Sequence, residues 1–293
     1  MNSIKIAINQ KTKLILKLEE HHKIEYYKES SFLQRLLNKD ENIPDIYFHK
    51  GMLDKKSIDL IKKSKIVIVN APEVKENILN KIDDISQDKI EVIYPYVNKN
   101  IAYNKEIKKD FKNRYDIEKK DKIILFTSKN LAKNGIKKFL EIVSGVSENN
   151  FIVIIESTYK EIEPLRLQMN RSKLNFTYMF LEDYKDKDEL FIASDILIIP
   201  TKQKYFASNV LKAMYYKSAV FISDSNYAAN ILDTFSTIQG ENDRSTQYKI
   251  DSLLLNKSEL KYIQNTNYDM SLDYTLEKSF EKLEDIIKNK ITV

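Results

Sequence analysis

Two lysines stand close to the start of a predicted helix, where they could bind an anion. Lys129 and Lys133 follow a buried apolar run, and Gly135 comes directly before a helical segment that starts near Ile136. Backbone N–H groups and the helix dipole both favour a phosphate at such a helix start. The alternative is an ordinary solvated loop in which Gly135 permits a turn.

A second loop offers the same combination of lysine and helix start. Lys204 follows the apolar run 196–199, and Ser208 or Asn209 could cap the helix that comes next, which could equally be a plain crossover helix. The small, polar segment 223–230 could bring backbone N–H groups to a phosphate or sugar, or form a turn with a helix cap. Because loops after parallel strands share one edge of a sheet, the set favours ligand binding there.

His49 is the one histidine that directly follows a predicted strand, and it precedes Gly51 by two residues. Its ordinary pKa near neutrality makes it the best acid or base candidate in the chain. The alternative is a histidine with a purely structural role.

Several kinds of chemistry are excluded by what the sequence lacks. With no cysteine and three histidines, thiol nucleophiles, disulfides and thiolate metal sites are excluded, and zinc has few ligands. No GxxxxGK[ST], GxGxxG, GxSxG or HExxH motif occurs. P-loop hydrolysis, dinucleotide binding by a Rossmann fingerprint, hydrolase elbows and zincin chemistry are therefore not expected.

The charge pattern indicates a mixed, solvated surface. The 48 basic and 43 acidic residues give a net charge of +5, and they are interspersed rather than gathered into a basic stripe. No apolar run reaches the roughly 20 residues of a membrane span, and the N-terminus lacks the apolar stretch of a secretory signal. We therefore expect a cytoplasmic protein without a nucleic-acid partner.

Nine short apolar runs alternate with segments of helical spacing. Because the runs do not alternate with polar residues, they predict strands buried on both faces, joined by right-handed helical crossovers. The runs are Ile4–Ile8, Asp45–Phe48, Ile66–Val69, Ile90–Tyr94, Ile123–Phe126, Phe151–Ile155, Phe176–Phe180, Ile196–Ile199 and Ala219–Ile222.

Nine strands are too many for one compact sheet, and the polar stretch Val97–Lys122 interrupts the alternation. The sequence therefore predicts an α/β protein of two parallel-sheet domains with a boundary near residue 97. We expect a small N-terminal domain over 1–97, a larger one over 98–270, and a closing amphipathic helix within 271–293.

Most of this pattern resembles a known family. From about residue 58 to the C-terminus the chain is similar to GT-B glycosyltransferases, specifically the large retaining family four that uses nucleotide-sugar donors. The resemblance implies two Rossmann-like domains, with Lys129 and Lys133 gripping the donor diphosphate. The matching segments, in the family's order, are Lys65–Asn70, Lys89–Val97, Ser128–Gly135, Leu181–Asp195 and Ile199–Thr201.

One motif of that family is changed in its charge. Where the family reads E-x-F-G-x-x-x-x-E-A-M-A, residues 204–215 place Lys204 and Lys212 at the two glutamates and Ala207 at the glycine. In the family the first glutamate contacts the donor sugar and the second the nucleotide ribose. An ammonium group only donates hydrogen bonds, and Lys204 would oppose positive charge developing on the sugar ring.

The resemblance implies transfer of a sugar, with retention, from a nucleotide-sugar donor to a cell-surface glycan or its lipid-linked precursor. No metal or other cofactor is expected, because lysines would neutralise the leaving diphosphate. His49 would contact the acceptor. Lys204 would flank the donor sugar, and Lys212 would flank the ribose. The expected diphosphate-binding residues are Lys129, Lys133, Gly135, Ala207 and Ser208.

A second hypothesis is a catalytically inactive relative that keeps the two-domain shell to bind a glycan, a nucleotide or a protein partner. The two Glu-to-Lys changes and the short first domain motivate it. A third is an unrelated α/β ligand-binding protein. The resemblance also allows peripheral attachment at the inner face of a membrane, although no segment shows a convincing interfacial helix.

Overall fold

The computed structural model describes residues 3–28, 43–98, 102–240 and 243–291. They form two compact units, the first made of 1–98 with 274–293 and the second of 99–273. Each is an α/β unit around a parallel sheet, as predicted. No helix in these ranges is long and apolar enough to cross a membrane.

The first unit is built on a five-stranded parallel sheet with the order β2-β1-β3-β4-β5. Its strands are β1 Ile4–Ala7, β2 Ile24–Tyr26, β3 Ile46–Phe48, β4 Ile66–Val69 and β5 Ile90–Val92. Its helices are α1 Lys13–His21, α2 Lys55–Lys63, α3 Pro72–Lys81 and, from the far end of the chain, α11 Leu276–Lys290.

Two apolar layers cover the faces of this sheet. On one face, α1 and α11 pack on the strands, and Leu283 and Ile287 of α11 share a buried cluster with Ile6 of β1. On the other, α2 and α3 contribute Ile61 and Ile78. The last helix of the chain is therefore part of the first unit's core.

The second unit contains a six-stranded parallel sheet with the order β11-β10-β9-β6-β7-β8. Its strands are β6 Lys122–Thr127, β7 Phe151–Ser157, β8 Thr177–Glu182, β9 Ile196–Ile199, β10 Ala219–Ser223 and β11 Thr237–Ile238. Its helices are α4 Lys105–Arg114, α5 Ile136–Ser144, α6 Tyr159–Asn170, α7 Lys187–Ala193, α8 Asn209–Tyr215, α9 Ser245–Leu255 and α10 Lys257–Ser271.

The nine predicted strands are all present, and two more were not predicted. β2 and β11 are short edge strands of three and two residues. β2 has no buried residue and β11 has one, so neither gives a recognisable apolar run. Both extend a sheet at its edge and leave the predicted parallel architecture unchanged.

Candidate functional site

Each unit contains a cavity, of about 380 Å³ in the first and about 370 Å³ in the second. The candidate site is the cavity of the second unit, which has the more polar lining. It lies where β6, β7 and β8 end, the edge at which parallel sheets bind ligands. Its lining is Thr127, Ser128, Lys129, Glu156, Ser157, Thr158, Asp183, Tyr184, Lys187, Phe191, Asn209 and Lys212.

A buried carboxylate lies in this cavity at the end of β7. Glu156 is 3% exposed, and one of its oxygens accepts a 2.6 Å hydrogen bond from the Thr127 hydroxyl. Its other oxygen is paired with the ammonium group of Lys187. The pair satisfies a charge that would otherwise be costly to bury. Neither Glu156 nor Lys187 was predicted as a site residue.

Lys129 and Lys212, two of the predicted cations, line this same cavity. Lys129 is exposed, whereas the Lys212 ammonium lies 2.7 Å from an Asp188 carboxylate oxygen and 5.5 Å from the centre of the Phe191 ring. The positive charge of Lys212 is therefore balanced by a carboxylate from α7.

The loop that carries Lys129 is held by its own polar side chains. The Ser128 hydroxyl accepts hydrogen bonds from the Asn130 N–H at 3.0 Å and from the Asn134 amide at 2.8 Å. The Asn130 side chain accepts from the Lys133 N–H at 2.9 Å. Lys133 is exposed and lies outside the cavity's described lining.

Gly135 brings this loop against the loop after β9. It has a left-handed backbone with φ of +88°, and a Cβ atom built on it would lie 2.2 Å from the Pro200 carbonyl oxygen. The Thr201 hydroxyl donates to the Lys133 carbonyl at 3.3 Å, and the Tyr205 hydroxyl to Asn134 at 2.7 Å. The two loops thus form one polar assembly.

Asn226, from the loop after β10, joins the same assembly. Its side-chain oxygen accepts from the Ala207 N–H at 3.3 Å, and its amide donates to the Gln203 carbonyl at 3.2 Å. The same oxygen caps a 3-10 turn through the Ala228 N–H at 3.0 Å. Of the two structures predicted for segment 223–230, it therefore forms the turn with a helix cap.

The helix after Lys204 begins where a cap at Ser208 predicts. α8 begins at Asn209, and Ser208 occupies the N-cap position without a side-chain cap hydrogen bond. Ala207 is buried and its N–H is engaged by Asn226. Lys204 is exposed and has no ion-pair or hydrogen-bond partner among the described residues.

His49 lies in the first unit, in a separate cavity of about 380 Å³. It is 3% exposed, its Nδ1 is 3.2 Å from the Tyr47 hydroxyl, and its Nε2 has no hydrogen-bond partner among the described residues. Burial lowers the pKa of His49, although the charge of Asp54 opposes this, and burial raises the pKa of Tyr47 to about 12. The imidazole is therefore neutral at pH 7.

Within the described ranges, no three aspartate, glutamate or histidine side chains are grouped as a metal ion would require. Tyr184, which lines the second unit's cavity, donates to Glu189, and burial together with this contact raises its pKa. The tyrosine is therefore protonated, and because its one O–H donates to Glu189, it can serve a ligand only as a hydrogen-bond acceptor.

Comparison with known sequences identifies a family. The sequence profile described as "Glycosyl transferases group 1" matches residues 107–270, more than half of the chain and nearly all of the second unit. No curated protein sequence matches the chain significantly.

Solved structures share the fold across both units. WaaG, a glycosyltransferase involved in lipopolysaccharide biosynthesis, has a TM-score of 0.70 at 11% identity over 97% of this chain and 99% of its own. A glycosyltransferase from Rickettsia africae has a TM-score of 0.72 at 17% identity over 98% and 90%. Anabaena HepE in complex with UDP and glucose has a TM-score of 0.73 at 11% identity over 97% and 91%.

Proposed function

The chain belongs to the group 1 glycosyl transferases, and from this premise we propose that it transfers a sugar from a nucleotide-sugar donor to a glycan or lipid-linked acceptor, with retention. The cavity at the ends of β6–β8 carries the proposal, because it combines exposed Lys129 with polar groups from three consecutive loops. Such a site suits a ligand that has both a polar ring system and a diphosphate.

In the proposed reaction the bond between the sugar's anomeric carbon and the diphosphate oxygen breaks, so negative charge grows on the leaving group. Lys129 and Lys133 stabilise that charge as fixed cations near the start of α5. Gly135 allows the loop that carries them to lie against Pro200. Because these cations are part of the chain, the proposal needs no resident metal or cofactor.

Lys204 and Lys212 are proposed to flank the donor sugar and the ribose, with Ala207 and Ser208 beside the diphosphate. The Asp188 partner of Lys212 lowers the electrostatic cost of a cation at the ribose position. His49, which is neutral and forms part of the wall of the first unit's cavity, is proposed to contact the acceptor.

The first experiment is a thermal-shift screen with UDP, GDP, ADP and CMP and their sugars, with and without Mg²⁺. A ligand that binds only the folded protein must raise its melting temperature. UDP is expected to give the shift, since the structure of HepE was solved with UDP and glucose. Sugar release or transfer from the shifting donor then tests catalysis. The absence of a shift with every nucleotide would contradict the proposal.

Lys133→Ala is expected to weaken UDP binding about tenfold, because a charge-assisted contact to phosphate contributes more than a neutral hydrogen bond. Calorimetric titration measures the effect. Lys173→Ala is the matched control, since Lys173 is an exposed lysine of the same unit that precedes β8, at the edge of the sheet opposite the loop of Lys133. Equal affinity of the two variants would remove the diphosphate site from this loop.

The inactive relative remains the second candidate, and one observation favours it: both motif positions that are glutamate in the family present ammonium groups here. The variant Lys204→Glu/Lys212→Glu distinguishes the two. It must be made with Asp188→Asn, because Asp188 lies beside Lys212 and would repel a carboxylate there.

If the lysines belong to a working site, this triple variant should lose about tenfold or more in turnover, since carboxylates at both positions would repel the donor diphosphate and could not donate the hydrogen bonds that ammonium groups donate. Asp188→Asn alone is the control. A rise in turnover above that of the natural protein would identify a decayed enzyme instead.

A further inference from the structure

A second polar cavity of the second unit lies at the opposite edge of its sheet, where the strands begin. Its volume is about 500 Å³, and Asp195, directly before β9, forms part of its wall. Six lysines and two carboxylates line it. The lysines are Lys105, Lys108, Lys109, Lys112, Lys119 and Lys217.

Both carboxylates of this cavity already have cationic partners. Asp195 is buried and lies 2.8 Å from the Lys108 ammonium and 3.8 Å from that of Lys122. Glu106 is paired with Lys109 at 3.1 Å. These acids therefore have no capacity left to neutralise the remaining lysines.

The remaining cations of this cavity form no ion pair with any residue that the structure describes. Lys112 is 7% exposed, and its ammonium donates to the carbonyls of Glu118 and Lys119 at 3.3 and 3.2 Å and to that of Asp121. These carbonyl oxygens accept its hydrogen bonds but do not neutralise its positive charge. Lys105 and Lys119 are exposed, and neither ammonium has a partner among the described residues.

Lys217 adds a fourth positive charge from the turn before β10. Its ammonium lies 5.5 Å from the centre of the Tyr103 ring and 4.8 Å from that of Tyr268. The aromatic faces hold this cation without neutralising it. A concave wall with several uncompensated charges of one sign focuses the field on a ligand of the opposite sign.

We propose that this cavity binds a compact anion with two or more phosphate groups, at a site separate from the donor cavity. Lysine acts as a point charge toward phosphate. Several lysines around one cavity therefore suit a ligand with closely spaced phosphate groups better than a ligand with a single carboxylate. Soluble oligophosphates and phospholipid headgroups share this chemistry.

The test uses tripolyphosphate as the soluble probe and vesicles that contain cardiolipin, whose headgroup carries two phosphates, as the lipid probe, both with the full chain. Lys105→Glu/Lys119→Glu reverses the two exposed, unpartnered charges, and Lys173→Glu/Lys257→Glu is the control with the same change in net charge. Both pairs are compared in a Lys129→Ala/Lys133→Ala background, so that tripolyphosphate held at the donor site does not contribute.

We expect the first pair to weaken binding of one probe about tenfold or more and the control pair to leave it unchanged. Loss of tripolyphosphate binding assigns the site to a soluble anion, and loss of vesicle binding alone assigns it to a headgroup. Equal loss in both pairs, or no binding of either probe, overturns the proposal. Acetylation mapping of the unmutated protein gives a second readout, because the probe that binds should protect Lys105 and Lys119. Unchanged labelling of both lysines with either probe would also overturn the proposal.

Discussion

Replacing Gly135 with alanine is expected to lower the free energy of unfolding by about 3 kcal/mol. Two effects contribute: alanine is strained in the left-handed backbone of this position, and its Cβ would collide with Pro200. The new Cβ would lie 2.2 Å from the carbonyl oxygen of Pro200 and 2.8 Å from its carbonyl carbon. Both are backbone atoms, so no side-chain rotation relieves the contact. The loop that carries Lys129 and Lys133 must move, and UDP binding should weaken with it.

Gly240→Ala is the matched control for this variant. Its φ of +65° is also left-handed, but, its chain neighbours aside, no atom of the described residues lies within 4 Å of the position a Cβ would take. We expect a loss of about 1 kcal/mol, from backbone strain alone. Urea denaturation gives both values, and equal losses would show that the approach of Gly135 to Pro200 does not constrain the loop.

Asp195→Asn is expected to lower the free energy of unfolding by about 3 kcal/mol, because it leaves a buried ion pair without its anion. Asp195 accepts the Ile123 N–H at 3.0 Å and pairs with Lys108 at 2.8 Å. Glu118→Gln is the control, since its pair with Lys120 is exposed and should contribute nothing measurable. Similar denaturation midpoints for the two variants would contradict the role assigned to Asp195.

The effect of Asp195→Asn should depend on pH. Although burial opposes ionisation, the ammonium groups of Lys108 and Lys122 hold the pKa of the Asp195 carboxyl below its ordinary value. Its stabilisation is therefore complete above the unfolded pKa near 4 and is lost as the pH falls through the lower folded pKa. The difference between natural protein and variant should shrink below about pH 4, as urea denaturation across this range would show; a constant difference would contradict it.

The architecture was predictable because buried parallel strands leave uninterrupted apolar runs. β4 and β9 begin and end at the predicted residues, Ile66–Val69 and Ile196–Ile199. β2 and β11 were missed because β2 has no buried residue and β11 has one, so neither leaves such a run.

The candidate site was predictable only in part. Lys129 stands out because it follows a strand and precedes a helix, which are local features. The pairing of Glu156 with Lys187 joins residues 31 positions apart, and that of Lys212 with Asp188 joins two helices. Such partners depend on how elements pack, although a lone carboxylate at the end of the apolar run Phe151–Ile155 could have drawn notice to Glu156.

The chain's return to the first unit at α11 has a consequence for biosynthesis. The second unit is continuous in the chain, whereas the first requires Leu283 and Ile287 to close its core around Ile6. A ribosome releases residues in order, so the second unit can finish folding while the first still exposes an apolar face. The unit that is begun first is thus completed last, and until α11 emerges its open sheet is the part of the nascent chain most exposed to aggregation or chaperone capture.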